Sequence, residues 1–365
     1  MACVDDWLRL LDDLYPPSWA EEWDSSGFQV GDRQAEAARA LVALDPTEAV
    51  IREAAERGCG LLVTHHPLLL RPRARLDVAD PVARAVATAF AAEVAVTACH
   101  TNADVAAPGV SDALAEVLGV NVEGVLEGTA AGDRVKLVTF VPPEATEKVL
   151  DALAGAGAGV IGEYTHCSFR VRGAGTFVPS AGADPTVGER GELNEVEEDR
   201  LEVVLPAARL GPIARALVEA HPYEEVAYDV YPLATRAGLG LGRIGTLAEP
   251  TDAAGLVERC RERLGAAARL SGDPGRSVER VAVCGGSAAS LIPAALAAGV
   301  DAYLTGDVRH HDALDAAAAG LAVIDAGHHA TEWPFVPALA ERLNGSGLGE
   351  ALVSEVSTDP FGGGS

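Results

Sequence analysis

The stretch Gly60-Leu61-Leu62-Val63-Thr64-His65-His66-Pro67 sets a short apolar run directly against two adjacent imidazoles. Two more runs have the same form: Val94-Ala95-Val96-Thr97-Ala98 leads into Cys99-His100, and Leu321-Ala322-Val323-Ile324 leads into Asp325. Brief apolar runs placed between helix-like segments read as buried parallel strands. Working outward, strands at 40–44, 60–64 and 94–98 alternate with helices at 47–57, 81–92 and 111–118. The alternation resumes after residue 252, with strands at 281–284, 301–304 and 321–324 and a last helix expected over 331–343. Such alternation predicts an α/β fold with a parallel-rich sheet flanked by helices.

Between these blocks the order changes to strand 135–141, helix 145–155, strand 164–171, strand 201–205, helix 210–220 and strand 226–231. A β-α-β unit met twice in about a hundred residues suits a small ferredoxin-like α+β domain. The reading is therefore a discontinuous α/β main domain, 1–128 with 237–365, and an inserted ferredoxin-like domain at 129–236.

At 365 residues the chain exceeds one ordinary core. Apolar residues at 48 % and charged residues at 22 % describe a globular chain. A formal charge of -26 with 5 % aromatics opposes nucleic-acid binding, which needs clustered Lys and Arg. A small anionic or nucleotide ligand is compatible with that charge, because a bound dication dominates its local field. The cysteines at 3, 59, 99, 167, 260 and 284 show no CxxC and read as reduced thiols. With no signal-peptide pattern at Met1-Ala2-Cys3-Val4 and no membrane-length apolar run, a cytoplasmic protein that stays off membranes is expected.

Open α/β sheets hold their sites at strand carboxyl ends, and several metal-binding residue types gather there. His65 and His66 follow one strand, and Asp104 follows His100 after another. His328 and Glu332 stand four apart at the entrance of the last helix, a spacing that puts both on one face. Each has an ordinary alternative: a solvated histidine pair, a turn cap at Asp104, a helix cap near Thr331. Pro67 keeps His66 out of the helical region, which lets adjacent side chains turn toward one site. Five candidate ligands, His65, His66, Asp104, His328 and Glu332, are too many for one catalytic zinc. They suit two divalent ions ~3.5 to 4 Å apart, the arrangement of two-metal hydrolysis. Mixed N/O donors fit Zn, Fe, Mn or Ni without choosing among them. His100 and His311 are candidates for proton transfer or for orienting the ligands, as is Asp325 for orientation. Gly285-Gly286-Ser287 reads as a tight turn, with an anion nest as the weaker alternative.

The segments Trp23-Asp24-Ser25-Ser26-Gly27-Phe28, Thr64-His65-His66-Pro67, His100-Thr101-Asn102-Ala103-Asp104, His221-Pro222-Tyr223-Glu224-Glu225, Thr305-Gly306-Asp307 and Gly327-His328-His329-Ala330-Thr331-Glu332 follow one another in the order of a known family. On them the chain resembles the Ngg-interacting-factor-three family, whose bacterial members carry the label GTP cyclohydrolase I type 2 homologue or dinuclear metal centre hexameric protein. Ser25-Ser26 and Ala288 depart from its usual pattern. The resemblance implies that the same five residues bind two metal ions, that copies form a ring-shaped homohexamer, and that residues from about 130 to 235 correspond to the long insert of some members. That insert is similar to trimeric signalling and metal-tolerance proteins. The function expected is metal-dependent hydrolysis of a nucleotide or phosphoester; the alternative is a non-enzymatic, metal-binding regulatory or scaffold ring.

Overall fold

The strands Arg39–Ala43, Leu61–Thr64 and Ala95–Ala98 are buried at almost every position. Full burial is what a strand covered on both faces requires. They pair in parallel, with Ala40 beside Leu61 and Leu61 beside Ala95. In this computed structural model, which describes residues 2–129, 134–161, 164–233 and 238–362, two edge strands complete a five-stranded sheet. Gly27–Val30 runs antiparallel to Ala95–Ala98, and Glu350–Val353 runs parallel to Arg39–Ala43. Helices Val4–Leu14 and Phe335–Asn344 bury Trp7, Leu11 and Leu339 against one face. Helices Glu48–Glu56 and Pro81–Ala91 bury Ile51 and Val86 against the other.

A second sheet of six strands runs in the order Arg269–Ser271, Ala322–Asp325, Ala302–Gly306, Ser277–Ser287, Gly240–Asp252, Val120–Gly128. Its centre is parallel, while Arg269–Ser271, Gly240–Asp252 and Val120–Gly128 join antiparallel. The parallel-rich sheet expected from alternation is thus two mixed sheets, because a strand's burial pattern does not say which sheet it enters. Val110–Leu118 and Ala253–Leu264 cover one face of the second sheet around Leu114 and Leu256. Ile292–Ala297 and His310–Ala318 cover the other around Ala295 and Ala316.

A cationic side chain lies inside this part of the molecule. Arg243 is 1 % exposed; its guanidinium donates to both carboxylate oxygens of Asp112 (2.8 and 2.7 Å), to the carbonyls of Gly240 and Gly242 (2.9 Å each) and to that of Ala106. A guanidinium so enclosed is tolerable only because its donors are met.

The chain divides into two compact units, Met1–Thr129 with Ala237–Ser365, and Ala130–Arg236. The joins at 130–133 and 234–237 lie outside the described residues. The second unit is an antiparallel sheet in the order Ser168–Phe177, Asn194–Pro206, Arg134–Val141, Tyr228–Pro232. Helices Thr146–Gly155 and Leu210–Ala220 bury Leu153 and Leu217 against Leu137 and Leu201. This is the β-α-β-β-α-β order of the ferredoxin-like fold. Asn194–Pro206 extends well before the expected 201–205, since Glu195, Glu197, Glu198 and Asp199 mask its start while its side chains alternate in and out.

The helix expected over 331–343 is two, His328–Glu332 and Phe335–Asn344. Pro334, with no N–H to donate, stands at the break. Among the described residues no helix is long and apolar enough to cross a membrane.

Candidate metal centre

Every strand that feeds the candidate site does so at one rim. His65 and His66 follow Leu61–Thr64, and His100 follows Ala95–Ala98 and immediately precedes the helix Thr101–Val105 that carries Asp104. From the second sheet, Asp307 follows Ala302–Gly306, and the short helix His328–Glu332 follows Ala322–Asp325. The carboxyl ends of two sheets therefore supply one cluster. Gly306 lets the second pair of elements approach: a Cβ there would lie 2.6 Å from the His328 backbone nitrogen.

Four imidazoles gather, with ring centroids 4.9 Å apart for His65 and His66, 5.3 Å for His65 and His100, 5.6 Å for His66 and His100, and 5.4 Å for His66 and His328. Each has its Nδ1 engaged. His65 Nδ1 donates to the Cys99 carbonyl (2.9 Å), His66 to Asp45 (2.8 Å), His100 to Asp24 (2.7 Å) and His328 to Asp307 (2.8 Å). An acceptor at Nδ1 fixes the proton there and leaves the Nε2 lone pair for a cation, the arrangement that surrounds metal-bound histidine.

Three of those Nε2 atoms converge on carboxylates. His66 Nε2 and His328 Nε2 lie 3.1 Å from the two oxygens of Glu332, and His65 Nε2 lies 3.5 Å from Glu332 Oε1 and 3.7 Å from Asp104 Oδ1. Although His66 Nε2 is near, no donor is directed at Glu332 Oε2, and both that oxygen and His65 Nε2 are buried without a hydrogen-bond partner. Buried polar atoms in folded proteins are almost always partnered; here a donor set is aimed at shared space rather than pair by pair. Two overlapping groups result: His65, His66 and His100, and His66, His328 and Glu332, with candidate ligand atoms within 4.8 Å of one another in each. Nitrogen and carboxylate donors without thiolate suit a divalent first-row ion, so the residues fit a metal.

The protonation balance follows the same geometry. Burial would depress His66, but the Asp45 and Glu332 carboxylates outweigh it and lift the imidazole to about 10. Glu332, with burial opposing, lifts His328 to about 9, helped by Asp307. Burial raises Asp104, against the pull of His65. Glu332 is held well below the usual carboxylate range, since His65, His328 and His66 overcome its burial. Without cations, these imidazoles hold protons that a metal would displace.

His311 is not brought into this group: it is exposed, and its ring meets that of His310 at 5.2 Å. Asp325 accepts from Arg269, Val308 N and Gly327 N, so it orders the turn ahead of His328. Gly285 and Gly286 form close packing and no anion nest. The Gly286 amide donates to Thr331 Oγ1 (3.0 Å), and a Cβ at Gly286 would lie 2.2 Å from Glu332 Oε1. Asp24, Asp45 and Asp307, the carboxylates behind three of the histidines, were not singled out from sequence. Asp24 is itself held by Ser26 Oγ (2.5 Å), Thr101 Oγ1 (2.5 Å) and the Ser25 and Thr101 amides.

The family model for Duf34/NIF3 (NGG1p interacting factor 3) matches residues 2–360. The chain belongs to the Duf34/NIF3 family. A Mycobacterium leprae protein named GTP cyclohydrolase 1 type 2 homolog is 43 % identical over 99 % of this chain and 95 % of its own length. Among solved structures of the family, a Bacillus cereus protein related to NIF3 is 38 % identical with a TM-score of 0.69, covering 98 % of both chains. Staphylococcus aureus protein SA1388 is 27 % identical with a TM-score of 0.77, again covering 98 % of both. Membership in Duf34/NIF3 accords with the α/β fold expected from the sequence.

Proposed function

We propose that this protein is a dinuclear metal-dependent hydrolase acting on a nucleotide or phosphoester, with His65, His66, Asp104, His328 and Glu332 holding two divalent ions. The observation that carries the reading is the set of four histidines, each with Nδ1 committed to an acceptor, three of which, His65, His66 and His328, turn Nε2 toward Glu332, and His65 also toward Asp104. Bound divalent ions of this kind activate water and polarise the group it attacks. The chain's own part is positional. Glu332 stands between the two histidine groups, and Asp45, Asp24 and Asp307 fix the rings. His100, 14 % exposed at its side chain with Nδ1 held by Asp24, can take or return a proton at Nε2.

Elemental analysis and anomalous scattering on protein purified without added metal give the first test, and turnover of a nucleotide and phosphoester panel the second. Glu332→Gln is expected to abolish turnover with the fold intact; unchanged turnover, or a centre free of metal after gentle purification, refutes the assignment. One observation favours a non-enzymatic metal-binding regulator or scaffold instead. Arg73, in the loop after His65-His66, pairs with Asp80 at 2.6 Å, a tie within its own loop that competes with any triphosphate. Two bound metals with no turnover across the panel would support that second reading. A homohexamer is proposed for either case, and light scattering checks it.

A further inference from the structure

The segment after the last strand reaches the metal centre from the far end of the chain. Glu350–Val353 pairs in parallel with Arg39–Ala43, placing Val353 beside Val42. Parallel pairing delivers both strands to the same rim, so the residues that follow them can meet. They do. Ser354 Oγ and the Glu355 amide (2.8 Å) both donate to Glu53, Val356 packs on the core around Ile51 and Leu62, and Thr358 Oγ1 donates to Asp45 Oδ2 at 2.5 Å. The other oxygen, Asp45 Oδ1, accepts from His66 Nδ1 at 2.8 Å.

We infer that Thr358 is a positioning residue of the metal centre, acting through Asp45 on His66, and that the segment Ser354–Thr358 docks more tightly when the metals are bound. The inference rests on the metal-binding reading of His66 given above. Its force comes from how differently the orienting groups are supported. His65 leans on a backbone carbonyl, which cannot rotate away. Asp24 is fixed by four donors besides His100, one each from Ser25 and Ser26 and two from Thr101. Asp45 has, among the described hydrogen bonds, only His66 and Thr358, and Thr358 lies 313 residues away in sequence. Remove that hydroxyl and the carboxylate keeps a single anchor, the very ring it has to orient. The His66 Nε2 direction then loosens, and since His66 belongs to both overlapping ligand groups, both feel it. Coupling of this kind is reciprocal: whatever the docked tail adds to metal affinity, the metal adds to tail docking.

The test uses the full-length protein, Co2+ as the probe, and a chromophoric chelator as competitor. Thr358→Val, which keeps the shape and removes the hydroxyl, is expected to weaken Co2+ binding by about tenfold, the low end for loss of a group supporting a metal ligand, and to shift the visible Co2+ bands. Thr358→Ser is expected to restore both. A purely structural role would not move the bands or respond to serine. In the unaltered protein, hydrogen exchange at the Glu355 and Val356 amides is expected to slow on metal loading, a reading that needs no variant to fold. Equal affinity and spectrum in Thr358→Val and the unaltered protein, or metal-independent exchange at those amides, overturns the inference. Failure of the unaltered protein to bind Co2+ in a manner sensitive to His66→Ala overturns instead the metal-binding reading on which it depends.

Discussion

Gly286→Ala isolates the packing behind Glu332. Gly286 has φ of +69°, and a Cβ there would stand 2.2 Å from Glu332 Oε1 and 3.5 Å from His328 Nε2. Glu332 cannot swing aside, because its side chain is only 5 % exposed and is hemmed in by three histidines. Two costs add. The left-handed backbone costs a non-glycine residue roughly 1–2 kcal/mol, and forcing a methyl into a filled site costs about 1–3 kcal/mol, so the expected loss is ~2–5 kcal/mol. Gly58→Ala separates the two costs: its φ is +68° and nothing lies within 4 Å of its Cβ position, so only the roughly 1–2 kcal/mol of backbone strain applies. Urea unfolding of both variants reads the difference directly. A metal titration is expected to show Gly286→Ala weakened by about tenfold or more, as when a ligand loses its proper support, and Gly58→Ala unchanged. If Gly286→Ala unfolds no earlier than Gly58→Ala and binds metal as the unaltered protein does, the close approach to Glu332 has no energetic weight and the reasoning fails.

Metal uptake is expected to release protons below about pH 9, where His66, lifted to about 10, and His328, lifted to about 9, are still charged in the metal-free protein. Apparent affinity therefore rises with pH until those imidazoles are neutral and levels off above. Calorimetry in buffers of different ionisation enthalpy measures the release, and heats independent of buffer at pH 7 would contradict it. In the metal-free protein the raised His66 value has its own sign: its stabilisation is complete below the unfolded value of 6.5 and is lost as pH climbs through about 10. Arg243→Ala is expected to cost about 3–5 kcal/mol, because it leaves Asp112 and three carbonyls facing a cavity. Arg243→Lys is expected to recover only part of that loss, since one ammonium cannot reproduce the fork; denaturant midpoints equal to the unaltered protein in either variant would refute this.

The strand runs before His65 and His100 were legible because burial on both faces writes itself as uninterrupted apolar sequence. Val120–Gly128 and Gly240–Asp252 were not: the first is an edge strand open to solvent along most of its length, with Glu123 and Glu127 in it, and the second sets Gly240, Gly242, Arg243 and Gly245 among its buried positions. Of the groups behind the histidines, Asp45 and Asp307 follow strands at 40–44 and 301–304, so the strand-end rule that points to His65 and Asp325 reaches them as well once every strand end is included. Asp24 precedes its strand. It reaches the same rim because Gly27–Val30 is antiparallel to its neighbour, with Gly27 beside Ala98, and strand direction is not written in four residues of sequence. The broken last helix was hidden for a different reason: Pro334 could have opened a longer helix as readily as it separates two.

That the candidate ligands come from two sheets has a consequence for how the protein is made. His65, His66, His100 and Asp104 leave the ribosome early, whereas Asp307, His328 and Glu332 follow after the whole of the 130–236 unit. At roughly 5–20 residues per second, the delay between Asp104 and Glu332 is on the order of ten to forty-five seconds. Through that interval the nascent chain can offer a cation only its first half-site, without the carboxylate that joins the two. Thr358 and the strand Glu350–Val353 arrive later still. The candidate centre is thereby complete only once Glu332 has been made, so the residues supplied early wait through that interval for the carboxylate they would share.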